Sequence, residues 1–180
     1  ILELNLNSID DPAARAAIVS ARGRMLAMAQ IHRIGSSAEE DDLAKIVRAV
    51  CDDLMGLHPG CGVAVEVPEI VMLPAHRAAL AALIVNELVT NSIKHAFRDA
   101  SGGMVRVSLR RVQPDLTELS VTDDGAPLPS GFDYTRSPGR GLGLVRGLTQ
   151  QLGGEFEVDV QAKRFVVTFS TGTEGRRLAG

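Results

Sequence analysis

Aromatic residues are scarce in this chain of 180 residues, and its positive charges do not outnumber its negative ones. It has no tryptophan, one tyrosine and five phenylalanines, and its formal net charge is −3. Proteins that bind nucleic acids need a basic surface for the phosphates, and many add aromatic rings on which bases stack. The composition therefore argues against a nucleic-acid partner.

Cysteine is scarce too, and long apolar runs are absent. Cys51 and Cys61 are too few for a disulfide framework and lack the partners of a zinc site, so we expect a reducing compartment, the cytoplasm. No apolar run approaches the length of a membrane span and no signal peptide opens the chain, so we expect no membrane contact by this stretch. The sequence starts at Ile1 within a helical pattern, and we expect it to be part of a longer protein.

What the chain does contain is 45% hydrophobic residues, enough for a packed core. The first third has apolar residues at helical spacing over about residues 13–34 and 39–57, which predicts a helical hairpin in residues 1–57. Residues 58–180 alternate strand patterns with two helices, at about 75–97 and 142–152. We therefore predict an α+β fold whose second domain has a mostly antiparallel sheet with helices on one face.

The helix pattern "LIVNELVTNSIKHAF" carries an unusual polar face. Glu87, Asn91, Lys94 and His95 recur at offsets of three and four, which places them on one side of the helix. An Asn amide oxygen suits a Mg²⁺ ion that holds phosphates, a Glu can polarise an attacking group, and a Lys adds positive charge. For any one of these residues alone, a satisfied polar cluster or a helix end facing solvent is the better interpretation, and only the set together indicates a site.

Two further segments have features of a ligand site. In "GRGLGL", Gly139, Gly141 and Gly143 allow the backbone to approach an anion closely at a helix start, although such a loop is also typical of a flexible connection. In "VTDDGAPLP", Asp123 or Asp124 precedes Gly125 at a strand end. This pair is either a plain turn or a carboxylate that accepts from the exocyclic amine of adenine, with glycine leaving room for the ring.

Together and in this order, "NELVTNSIKHAF", "DDGAPLP" and "GRGLGL" resemble the N box and the two glycine boxes of the Bergerat-type ATPase domain, which histidine kinases share with gyrase and MutL. With "RGRMLAMAQIHR" upstream, the chain is most similar to HWE-type and related bacterial sensor histidine kinases. The resemblance implies a protein-histidine kinase with ATP and Mg²⁺ as cofactors. It further implies that residues 1–57 form a dimerisation and phosphotransfer hairpin, that the chain is a homodimer, and that its partner is a response-regulator receiver domain.

The resemblance also implies roles for individual residues. Asn91 would ligate Mg²⁺, Glu87 would be the general base, and Lys94 and His95 would lie near the phosphates. Asp123 would bind the adenine amine. The other implied binding residues are Gly125 beside the ring, the hinge glycines Gly139, Gly141 and Gly143 of a lid over residues 126–138, and Leu142 and Leu144 beneath that lid.

Three departures from the family pattern leave alternatives open. Pro127 stands where a second glycine is usual, and Ala162-Lys163 replaces a frequent Gly-Thr. The phosphoacceptor histidine is expected upstream of Ile1, and His32 is not expected to replace it. One alternative function is a phosphotransferase or scaffold with a nucleotide-free ATPase-like domain. Another is an anti-sigma-factor serine kinase, which the helical hairpin disfavours.

Overall fold

The computed structural model describes residues 40–57, 60–67, 70–97, 102–134 and 140–172. His32, His58 and Gly139 lie outside these ranges. The helices are α1 (Leu43–Leu57), α2 (Ala75–Ala96) and α3 (Arg140–Gln151). The strands are β1 (Glu40–Asp42), β2 (Cys61–Glu66), β3 (Met72–Pro74), β4 (Gly103–Gln113), β5 (Leu116–Asp123), β6 (Glu155–Asp159) and β7 (Arg164–Ser170). Within the described ranges, no helix has both the length and the apolarity needed to cross a membrane.

Five strands form one sheet in the order β2-β4-β5-β7-β6. The β2–β4 pair is parallel and the other three pairs are antiparallel, which confirms the predicted α+β fold with a mixed, mostly antiparallel sheet. The short strand β3 is not part of this sheet. It pairs with β1 in a separate two-stranded ribbon, where Pro74 ends it at the start of α2.

One face of the sheet carries the apolar core. Val107, Val121 and Phe165 stand opposite one another on three adjacent strands, and all three are buried. Directly opposed residues share a face of a sheet, so this row and the rows beside it point toward the helices. Other buried members of this face include Val63, Val105, Leu109, Leu119, Val167 and Phe169.

Helix α1 packs into the same core. Its residues Leu43, Val47, Cys51 and Leu54 recur at helical spacing, are buried, and belong to one cluster with α2 and the sheet. Burial raises the pKa of the Cys51 thiol to about 12, which keeps it protonated, and both cysteines are free. The predicted hairpin domain of residues 1–57 depends mainly on residues 1–39, which the structure does not describe, and it stays a prediction.

The outer face of the sheet has an ion-pair cluster centred on Glu118. This nearly buried carboxylate accepts from Arg110 at 2.7 Å, across the β4–β5 pair, and from Arg164 on β7. The hydrogen bond from Arg110 holds the pKa of Glu118 below its ordinary value. Three neighbouring strands are thereby joined on the side away from the helices.

Stability should depend on pH through Glu118. A carboxyl group whose pKa is lower in the folded state stabilises the fold above its unfolded-state value, about 4.5, and loses that contribution as pH falls through the folded-state value. We therefore expect Glu118→Gln to lower the free energy of unfolding at pH 7 and to have a smaller effect at pH 3. Urea denaturation at both pH values measures this, and an equal loss at both would contradict it.

Candidate functional site

The polar face of α2 runs from the core to the surface. Glu87 is 3% exposed, Asn91 and Lys94 are half-buried, and His95 is exposed. Lys94 and His95 occupy the last turn of the helix, where positive charge is favourable next to the free carbonyl groups. Of the four predicted residues, the carboxylate is therefore the most deeply buried, and the basic residues Lys94 and His95 lie nearer the surface.

The start of α3 lies directly against this face. A Cβ added to Gly141 would stand 3.1 Å from both Oδ1 and Nδ2 of Asn91, and 3.4 Å from Oε2 of Glu87. Contacts this short leave little room for a side chain at Gly141. Behind it, Leu142 is buried in the core and Leu144 is half-buried against it, so the helix is anchored at this distance.

Gly143 is unlike Gly141, although the sequence interpretation gave both the same role. A Cβ at Gly143 would meet nothing within 4 Å, and the residue is exposed. Close packing therefore explains Gly141 but places no steric limit on Gly143.

The turn after β5 packs against the C-terminal end of the same helix. The Ala126 N–H donates to the Ala96 carbonyl oxygen at 2.8 Å, and a Cβ at Gly125 would come within 2.4 Å of that oxygen. Asp123 pairs with Val105 in the sheet register, which puts its side chain on the helix side. Asp124 is exposed, and its Oδ1 accepts from the Met104 N–H at 2.8 Å, so it joins the end of β5 to the start of β4.

Lys163 is a residue of this site that the sequence analysis treated only as a missing Gly-Thr. Its Nζ lies 2.5 Å from Oδ1 of Asp123 and donates to the carbonyl oxygens of Gly125 at 2.7 Å and Ala126 at 2.6 Å. The residue is 8% exposed. No local pattern in the sequence predicts this contact, because it joins residues forty positions apart through the pairing of β5 with β7.

The segment predicted as a lid is described as far as Tyr134. The ring of Tyr134 meets that of Phe156 on β6 edge to face, with centroids 5.6 Å apart, and Phe132 is half-buried against the core. Pro127 is exposed. This part of the segment is therefore held against the sheet.

The residues present fit a nucleotide that brings its own Mg²⁺ ion. Among the described residues, no three His, Cys, Asp or Glu side chains gather into a metal-binding group. Mg²⁺ is commonly held by one or two protein oxygens together with substrate phosphates and water, so a complete protein cage is not required. Asn91 and Glu87 offer such oxygens beside the backbone of the α3 start, where Gly141 leaves the approach free of a side chain.

Residues 53–170 match the histidine kinase-like ATPase domain family. The chain belongs to this family. The match agrees with the predicted Bergerat-type ATPase domain and with ATP as the expected ligand.

Relatives with this domain are sensor histidine kinases. The chain is 29% identical to the sensor histidine kinase PdtaS of Mycolicibacterium smegmatis over 86% of its own length and 32% of that protein. It is 33% identical to blue-light-activated histidine kinase 2 of Erythrobacter litoralis over 48% of its own length and 25% of that protein. The chain thus spans about a quarter to a third of these curated relatives.

A solved structure has the same fold. The histidine kinase domain of a blue-light activated histidine kinase from Erythrobacter litoralis superimposes with a TM-score of 0.70 at 22% identity. The alignment covers 92% of this chain and 76% of that one. This likeness supports the ATPase-domain fold.

Gly125, which is closely packed, and Gly143, which is open, give a matched test of this geometry. Gly125→Ala should destabilise the domain by about 1–3 kcal/mol, because the new methyl group must push the turn away from the Ala96 carbonyl. Gly143→Ala, in an open helical position, should be neutral or stabilise by up to about 1 kcal/mol. Urea denaturation of both variants checks the contrast, and equal effects would show that the turn does not pack on α2 as described.

Proposed function

We propose that this chain is the ATP-binding catalytic part of a sensor histidine kinase, which transfers the γ-phosphoryl group of ATP to a histidine and then to an aspartate of a response regulator. The observation that carries the proposal is the close approach of Gly141 to Asn91 and Glu87, where an added Cβ would stand 3.1–3.4 Å from their side-chain atoms. It brings a glycine-containing helix start, suited to phosphate, against an amide and a carboxylate suited to a metal ion. The base-reading candidate Asp123 lies beside the turn that packs on Ala96, the last residue of α2.

Each residue group has a role in this proposal. When bound, Mg²⁺–ATP supplies the phosphoryl group, and the metal neutralises charge on the phosphates. Asn91 would hold the metal, Glu87 would accept a proton from or polarise the attacking imidazole, and the N–H groups at the start of α3 would orient the phosphates. Lys94 and His95 would add positive charge near the phosphates. Asp123 and Gly125 would hold the adenine.

The proposed partners follow from the same function. The response regulator would supply the receiver domain, and residues 1–57 would form the dimer contact and the phosphotransfer helices. We place this activity in the cytoplasm, where ATP is available. The sensor histidine kinases among the relatives support these proposals.

One observation favours the alternative of a nucleotide-free scaffold. The carboxylate expected to read the base already has an ammonium partner, because Lys163 bonds to Asp123. If that contact excludes adenine, the domain would keep its fold and serve only as an interaction module. Binding measurements separate the two functions.

Asn91→Ala should remove the increase in ATP affinity that Mg²⁺ produces while leaving the fold intact, because the variant loses the proposed metal ligand. Isothermal titration with ATP, in Mg²⁺ and in EDTA, measures this, and circular dichroism checks the fold. His76→Ala, at the exposed start of the same helix, is the matched control and should behave as wild type. An Asn91→Ala variant that retains Mg²⁺-dependent binding would contradict the assignment, and a wild-type chain that binds no ATP would favour the scaffold.

Glu87→Gln should separate binding from chemistry. In the protein carrying its acceptor histidine, γ-labelled ATP should give acid-labile, base-stable phosphate, and the variant should bind Mg²⁺–ATP but incorporate little label. The reason is that the amide cannot accept the proton of the attacking imidazole. Full labelling of the Glu87→Gln protein would exclude Glu87 as the general base.

A further inference from the structure

The Lys163 ammonium group is fully committed to protein acceptors. A lysine ammonium has three donors, and here they meet three oxygens: Asp123 Oδ1, the Gly125 carbonyl and the Ala126 carbonyl, all within 2.7 Å. The group therefore has no donor left for a ligand in this arrangement. Its contacts instead tie the β6–β7 hairpin to the end of β5 and to the turn that follows.

The backbone at Lys163 adopts a conformation that is unfavourable for a lysine. Its φ is 50°, and among the described residues it is the one non-glycine residue with a positive φ. L-residues other than Asn and Asp rarely adopt this region. The next residue, Arg164, pairs with Thr122, so the left-handed turn sets the lysine beside Asp123 and on the helix side of the sheet.

Among the described residues, the polar contacts of the Asp123 carboxylate fall on one of its two oxygens. The Gly125 N–H donates to Oδ1 at 3.1 Å, and Lys163 Nζ approaches the same oxygen at 2.5 Å. A carboxylate offers acceptor sites on both oxygens, so two partners on Oδ1 fix the orientation of the group without using Oδ2. The side chain is 3% exposed, and a carboxylate so buried can recognise a ligand only along a defined direction.

The turn beside Asp123 is fixed by the same ammonium. The Ala126 carbonyl accepts a hydrogen bond from Lys163, and the Ala126 N–H donates one to the Ala96 carbonyl oxygen. The turn is therefore bonded to both the β6–β7 hairpin and α2. These bonds fix the distance between Gly125, which would lie beside the adenine ring, and the Asp123 carboxylate.

We propose that Lys163 is a positioning residue for base recognition, which holds Asp123 so that Oδ2 receives the exocyclic amine of adenine. The inference rests on the proposed ATP-binding function and adds a specificity residue to it. The replacement of Gly-Thr by Ala162-Lys163 then has a function, because the buried Lys163 ammonium bonds to both the Asp123 carboxylate and the turn that follows it.

The test compares two ligands that differ only in the 6-amino group, ATP and purine riboside triphosphate, by isothermal titration of the chain in Mg²⁺. Wild type should prefer ATP by about tenfold or more, the value of a hydrogen bond to a charged group. Lys163→Met keeps the apolar stem and removes the ammonium, and it should lose most of this preference. Affinity for the analogue should change little, because the triphosphate contacts remain.

Two further variants control the comparison. Arg164→Met removes a cation from the same hairpin that pairs with Glu118 on the outer face, and it should keep the preference for ATP. If Lys163→Met does not fold because Asp123 is left buried without a counter-charge, Lys163→Gln, which keeps an uncharged N–H donor group, should fold with an intermediate preference. In an Asp123→Asn background, adding Lys163→Met should leave the remaining preference unchanged.

The outcomes separate this inference from the proposed function. ATP binding with an undiminished preference in Lys163→Met would overturn the positioning role, since the lysine would then only stabilise the fold. A preference that rises in Lys163→Met would overturn it as well, because the ammonium would be competing with adenine for Asp123. A wild-type chain that binds neither nucleotide would overturn the proposed function and this inference with it.

Discussion

The rest of the structure depends on the burial of helix α2 between the sheet, α1 and α3. Most of its residues from Ala75 to Ser92 are buried, and alanines in its first half allow close packing on several sides. Arg77 fixes its start, because Nη2 donates to the Leu152 carbonyl at 2.8 Å and to the Ser170 carbonyl at 2.7 Å. The ends of α3 and β7 are thus fastened to one helix.

The candidate site follows from this arrangement. Because α2 is held in the core, the positions of its polar residues Glu87 and Asn91 are fixed. The two glycine segments contact the helix at different positions along its length. Gly141 brings the α3 start to the middle of the helix, and Gly125 brings the turn after β5 to its last turn. The contacts that pack the core therefore also position the site, which explains why polar residues are tolerated on a mostly buried helix.

The parts of the structure that local sequence patterns determine could be predicted from the sequence. The helix predicted at 75–97 is Ala75–Ala96, and that predicted at 142–152 is Arg140–Gln151, because apolar spacing and flanking Gly or Pro mark helices well. The three motif segments carried the family assignment, which the match over residues 53–170 confirmed. The roles of the individual site residues remain predictions, although the structure brings several of them together.

What the sequence could not provide were facts that depend on partners distant in the chain. The strand of residues 72–74 pairs with β1 rather than with the main sheet, and no local pattern encodes that choice. The different surroundings of Gly141 and Gly143 depend on which side of α3 faces α2. The bond between Lys163 and Asp123 spans forty residues and requires a left-handed backbone at a lysine, which propensity disfavours.

Amide hydrogen exchange with and without Mg²⁺–ATP tests most directly the central claim, that segments gathered around α2 bind one ligand. The account predicts that nucleotide slows exchange at the start of α3, residues 140–144, and in the turn of residues 123–126 together, while the outer-face residues around Glu118 are unaffected. Protection of only one of these segments, or none, at a saturating nucleotide concentration would contradict it.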